Sequence, residues 1–126
     1  MFEGQQGILN LCAEVMATIQ SYPQAKTWLK ILYDALIGYF GKQDQSLLED
    51  LKFRHRDDPH ALKMLEFWEV DLKDIKIKII TFFEKYTGEF ITKPSGSFRK
   101  EFKDIYDAIS ARFESENSHL RVLLNK

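Results

Sequence analysis

Along this chain the apolar residues recur at steps of three and four, not two, so the pattern predicts α-helices and requires no β-strand. Ile8, Leu11, Cys12, Val15 and Ile19 share one face of a first helix over about residues 5 to 20. Ser21-Tyr22-Pro23-Gln24 then reads as a helix start, with a serine cap, a proline in the first turn and a glutamine placed to close a capping box. The stripe of this second helix runs through Trp28, Leu29, Leu32, Leu36 and Tyr39 or Phe40, meets Gly41, and resumes at Leu47, Leu48 and Leu51. Either the helix is continuous to about residue 54 with a kink near Gly41, the reading favoured here, or it breaks there and restarts at the Ser46-Leu47-Leu48-Glu49 box.

Arg54-His55-Arg56-Asp57-Asp58-Pro59 interrupts the period, and Asp58 before Pro59 predicts an N-cap and first helical residue. The clearest heptad follows, with Leu65, Trp68, Leu72, Ile75, Ile79, Phe82 and Tyr86 at alternating steps. Phe67, Val70, Ile77, Ile80 and Phe83 add apolar positions off that stripe, so this helix, residues 59 to about 90, is expected to touch neighbours on more than one side and form the spine. Gly88 and Pro94-Ser95-Gly96-Ser97 end it, and Ser97 is placed to cap a last helix running to near Leu124. Phe98, Phe102, Ile105, Ile109, Phe113, Leu120 and Leu123 mark the buried face of that helix. Arg112 and Glu116, one turn apart, are expected at the edge of the core and within reach of each other.

Four amphipathic helices with short connections predict an all-α, antiparallel four-helix bundle. No repeat or linker divides residues 1–126, and that length suits a single core. A hydrophobic share of 44% with 29% charged residues is that of a chain that folds unaided. Eighteen basic against nineteen acidic side chains leave a net charge of −1, so no global field draws the protein to nucleic acid or anionic lipid. Cys12, the single cysteine, has no partner for an internal disulfide. There is also no apolar run long enough to span a bilayer and no secretory leader at Met1-Phe2-Glu3-Gly4, so a cytoplasmic address and a start at Met1 are expected.

Bundles of this kind host di-iron centres built from Glu-x-x-His pairs, which this chain lacks. His55, His60 and His119 are scattered, and neither Asp44 nor Glu49 has a histidine three residues on, so no metal and no cofactor are expected. There is no nucleophile elbow, phosphate-cradling glycine loop or Cys-x-x-Cys pair, and Cys12 lies within an apolar stripe. His60 superficially fits a phosphotransfer histidine but follows Pro59 in a first turn, where a histidine is usually just solvated. The chain is therefore not expected to be an enzyme. Its ten phenylalanines, five tyrosines and two tryptophans are mostly core, while Phe53, Phe67, Phe83 and Phe90 fall off the main stripes. Phe67, Phe83 and Phe90, with Arg112 and Glu116, are the candidate partner-binding residues, against the plainer alternatives of packing on a second helix and of a structural ion pair. Lys73-Asp74-Ile75-Lys76-Ile77-Lys78 is either a basic ridge for an acidic partner or a solvated face.

The arrangement Asp104-Ile105-x-x-Ala108-x-x-Ala111-Arg112-Phe113-x-x-Glu116 resembles the last helix of the Rsd/AlgQ family of bacterial regulators, which bind the primary sigma factor of RNA polymerase. Leu36-Ile37-Gly38-Tyr39-Phe40 is similar to an apolar helix of that family, and Trp68 falls at a matching distance from both segments. The resemblance covers roughly residues 32 to 124, whereas residues 1 to 22 carry no counterpart of the family's early tryptophan and arginine-bearing helix. It implies a non-enzymatic regulator that sequesters another protein, a sigma factor or other transcription component, with Arg112 and Glu116 at the family's polar pair. Arg-x-x-x-Glu beside apolar residues also resembles hemerythrin-like domains, which implies a sensor bundle for a metal or small ligand. A self-associating structural subunit, a homo-oligomer built on the extra aromatics, is the third reading.

Overall fold

In the computed structural model, which describes residues 4–19, 22–86 and 97–124, every regular element is helical. The elements are α1 (Gln5–Ala17), α2 (Tyr22–Gly38), a π-turn (Tyr39–Gln43), α3 (Asp44–Arg54), α4 (Pro59–Tyr86), α5 (Phe98–Ser115), a second π-turn (Glu116–Leu120) and α6 (Arg121–Leu124). Each π-turn continues the helix on either side of it, so the described residues form four helical rods. Of the two sequence alternatives for the second helix, the continuous one holds, with a π-turn through Gly41 and no restart at Ser46.

The rods close around one core in which α1 packs on α2 and α5, α2 and α3 pack on α4, and α4 packs on α5. The heptad of α4 is buried along its length, as are Ile8, Cys12 and Val15 of α1 and the apolar series from Phe98 to Leu123. One end of the core is aromatic: the Phe98 ring lies 4.8 Å from Tyr86 and 6.0 Å from Phe82, whose ring is also 6.0 Å from Phe102. Such offset and edge contacts add to the burial of large rings. Burial pushes the Cys12 thiol up to about 12, which keeps it a protonated core hydrophobe.

Asp58 caps α4 through its Oδ1, which accepts from the Ala61 N–H at 3.2 Å. Ser97 does not cap α5 with its side chain, because its backbone at φ −93°, ψ −1° lies outside the extended region that turns a capping oxygen toward the first turn. The Ser21 cap, the end of the spine beyond Tyr86, the Gly88 and Pro94-Ser95-Gly96 segment, and Phe90 lie outside the described residues. Among the described residues no helix is long and apolar enough to cross a membrane.

Candidate functional site

Two features stand apart from ordinary core packing: a polar cluster inside the bundle and an apolar strip on the outside of α4. The cluster begins at Gly4, whose φ of 91° is open to glycine and strained for other residues. That turn delivers Gln5, the first residue of α1, into the interior beside Tyr39. Gln5 Nε2 donates to Tyr39 Oη at 3.0 Å and to Glu116 Oε1 at 3.1 Å. Tyr39 Oη donates to the same Glu116 oxygen at 2.5 Å.

Arg112 completes the network. Its Nε donates to Glu116 Oε2 at 3.0 Å, and its Nη1 to Asp71 Oδ2 at 2.9 Å and to the Trp68 carbonyl at 3.3 Å. Its Nη2 faces Asp44 Oδ2 at 3.5 Å, and the guanidinium carbon lies 4.4 Å from the centre of the Trp68 ring. Arg112 and Glu116 thus meet one turn apart as the spacing predicts, but they lie inside the core rather than at its edge, with exposures of 3% and 0%. The correction follows from packing: α1 and the first π-turn cover this face of the last rod through Gln5 and Tyr39, and only Asp71 carries the network out to solvent.

The π-turns help to assemble this arrangement. In the first, the Tyr39 carbonyl accepts from the Asp44 N–H; in the second, the Glu116 carbonyl accepts from the Arg121 N–H. Each inserts one residue into the α-helical register. The first lets Tyr39, Phe40 and Asp44 all lie buried on one rod. Sequence reasoning weighs Asp44 only as a metal ligand and misses its burial beside Arg112, although it lies four residues after Phe40 and four before Leu48, in a gap of the apolar stripe. Gln5 carries no comparable signal.

Burial pushes the Asp44 carboxyl up to about 9; the adjoining Glu116 carboxylate adds to the rise and Arg112 opposes it. Burial also raises the Tyr39 hydroxyl well above its ordinary value, with the Glu116 charge second. Asp44 is accordingly a neutral acid near pH 7, and the Arg112 charge is met by Glu116 inside and Asp71 outside. A guanidinium occupies the place between carboxylates that a cation would take, and among the described residues no three or more of His, Cys, Asp and Glu gather as metal ligands. What this cluster can do is fix the mutual registry of α1, the two π-turned rods and α4.

The outer feature is different in kind. Phe67, Val70 and Ile77 of α4 are 70%, 58% and 63% exposed, and Ile80 is exposed to a lesser degree. Between α4 and α5 runs a groove of about 460 Å³ over Ile77, Thr81, Ile105 and Ala108. A second depression of about 340 Å³ lies over Asp71, Asp74, Ala111 and Arg112. Phe83, a candidate partner-binding residue with Phe67, is instead 1% exposed and takes the plainer alternative of packing on a second helix: its ring lies 5.0 Å from Tyr33, because α2 packs over that side of the spine. Phe53 is exposed and carries the Arg56 guanidinium at 4.5 Å from its ring centre. His55 Nε2 lies 3.0 Å from the Leu123 carbonyl and His119 Nδ1 3.2 Å from the Ser115 carbonyl, so these two imidazoles serve separate parts of the last rod. Comparisons of the chain with models of protein families, with curated proteins and with solved structures return no match.

Proposed function

We propose that this chain is a non-enzymatic, protein-binding regulatory bundle that acts in the cytoplasm by sequestering a transcription component, with the primary sigma factor as the specific candidate. The observation that carries the reading is the outer strip of α4, where Phe67, Val70 and Ile77 remain exposed on a helix whose opposite face is fully packed. Exposed large apolar residues grouped on one face are a feature of protein-binding surfaces. The polar cluster supports the reading from behind, since it ties α4 to the last rod through Arg112 and so stiffens the helix that presents the strip. The antiparallel course of the rods is part of the proposal and is supported by cross-helix pairs. Lys85 pairs with Glu101 and Asp71 with Arg112, so a step back along α4 is a step forward along the last rod, and Lys52, late in the second rod, meets Glu69 in the first half of α4.

The resemblance of the last rod to the Rsd/AlgQ pattern selects the partner to be tried first. Purified primary sigma factor passed over the immobilised chain should be retained, and Phe67→Ser should lower retention by about tenfold or more while leaving helicity unchanged. Failure of the wild-type chain to retain sigma factor overturns the sigma assignment. Stoichiometric iron in protein purified without chelators overturns the non-metal reading in favour of a hemerythrin-like sensor.

A further inference from the structure

Three depressions between α4 and α5 run into one another. The groove of about 460 Å³ shares Lys78 and Ala108 with the depression of about 340 Å³, and the latter shares Asp71 and Ser115 with a notch of about 290 Å³ beside Phe67 and Trp68. They make a continuous trough along α4 from Lys85 to Phe67, about 27 Å long at the rise of an α-helix and so matched to about five helical turns. On the α5 side Ala108, Ala111 and Ser115 follow one another at steps of four and three, and their small side chains let a second backbone approach closely. Ile105 lies at the floor and the exposed Ile77 on the rim. Among the described residues there is no strand edge for an extended peptide to pair with, so a helix is the form of chain that two helical walls accept.

Charge selects the kind of helix. Asp71, Asp74, Glu101 and Asp104 line the trough against Lys78 and Lys85, and Arg112 beneath is already met by Glu116, so the lining is acidic and disfavours phosphate and acidic surfaces. Glu101 is held by Lys85, whereas Asp74 and Asp104 have no ion pair among the described salt bridges. Asp71 gives Oδ2 to Arg112 and keeps its other oxygen on a side chain that is 65% exposed. Asp71 and Asp74 lie at the end where Phe67 presents its ring, with Lys78 and Lys85 beyond them. Carboxylates beside an open aromatic face suit a guanidinium, which pairs with the acid and stacks on the ring. Arg112 does the same within the chain, paired with Asp71 and lying over Trp68.

We infer that the trough between α4 and α5 binds a basic amphipathic helix of another protein, with the apolar stripe of that helix on Ile77, Ile105 and Ala108 and an arginine seated among Phe67, Asp71 and Asp74. Resting on the protein-binding reading of α4, this assignment adds the chemistry of the partner.

The probe is a fluorescently labelled peptide of about 18 residues, built of leucine, alanine and arginine, with leucines at every third or fourth position and arginines flanking them. Its twin carries glutamate in place of arginine. Anisotropy with the whole chain at low salt should give the arginine peptide a Kd on the order of 10 µM and the glutamate twin one at least about tenfold weaker. Asp74→Lys should weaken the arginine peptide by about tenfold, while Glu114→Lys, the same change of charge on α5 outside the trough, should alter it by less than about twofold. Ala111→Trp, at an exposed position, fills the trough and should weaken binding by about tenfold with unchanged circular dichroism. An arginine peptide that binds no better than its twin, equal effects of Asp74→Lys and Glu114→Lys, or undiminished binding to Ala111→Trp overturns the inference. Sigma-factor retention separates the two proposals: a chain that binds the arginine peptide as described yet retains no sigma factor refutes the sigma reading alone. A chain that ignores the peptide and retains sigma factor equally with and without Ala111→Trp refutes the trough alone.

Discussion

Arg112 is held by acids from three elements, Asp44, Asp71 and Glu116, and lies over Trp68, so its charge is absorbed within the molecule. Replacing Glu116 with alanine would strip Arg112 Nε, Tyr39 Oη and Gln5 Nε2 of a shared acceptor at a fully buried site. An uncompensated buried charge costs about 3–5 kcal/mol, so the urea midpoint of Glu116→Ala should fall by a corresponding amount at an unchanged m value. A midpoint equal to that of the wild type would show the network to be dispensable. Asp44 gives a pH dependence of definite sign. Its folded carboxyl binds a proton up to about 9 against an ordinary 3.8, so the contribution is fully present below 3.8 and is lost as pH rises toward 9. Asp44→Asn imitates the neutral acid and should flatten that decline, leaving the variant more stable by about 1–3 kcal/mol at the alkaline end of the window. Thermal melts through the window check it, and parallel declines of the two proteins would refute it. At this scale the Arg112–Glu116 contact is legible in the sequence because it is one helical turn long. Gln5 is not, because it reaches Glu116 from the far end of the chain and no local period records that meeting.

Elements are read more easily than contacts, and the second rod shows both the reach and the limit of that reading. Its apolar stripe carries through Gly41 and predicts continuity, and the rod is continuous to Arg54. The sequence suggests the glycine as the cause of irregularity, whereas the structure shows a π-turn closed by the Asp44 N–H on the Tyr39 carbonyl. Gly41 has no positive φ, and a Cβ there would meet only the Ile37 side chain at an ordinary 3.8 Å. Gly41→Ala should therefore be accepted and should stabilise the protein by about 0.4–1 kcal/mol, through helix propensity and a less flexible unfolded chain. A loss of stability in chemical denaturation would show instead that the π-turn depends on glycine. The start of α4 is the opposite case: Asp58-Pro59 is a local signal, and the Asp58 side chain caps the helix where that signal places it.

At the scale of the whole molecule, the same long helix is a core element on one side and an exposed apolar strip on the other. A heptad that is buried from Leu65 to Tyr86 accounts for the first, and the off-stripe residues divide between the two according to their neighbours. Phe83 is enclosed because α2 brings Tyr33 against it, while Phe67 stays open beside Asp71 and Ser115. The sequence alone determined the helical class, the boundary at Pro59 and the residues that fill the core, because helix period, capping and the burial of apolar stripes are local and repeat along the chain. Only the tertiary structure decided which off-stripe phenylalanine is surface, where the register slips by one residue, and that Gln5, Tyr39, Asp44 and Asp71 gather around the Arg112–Glu116 pair. Those outcomes depend on side chains that meet across rods, and their separation along the chain leaves no periodic trace.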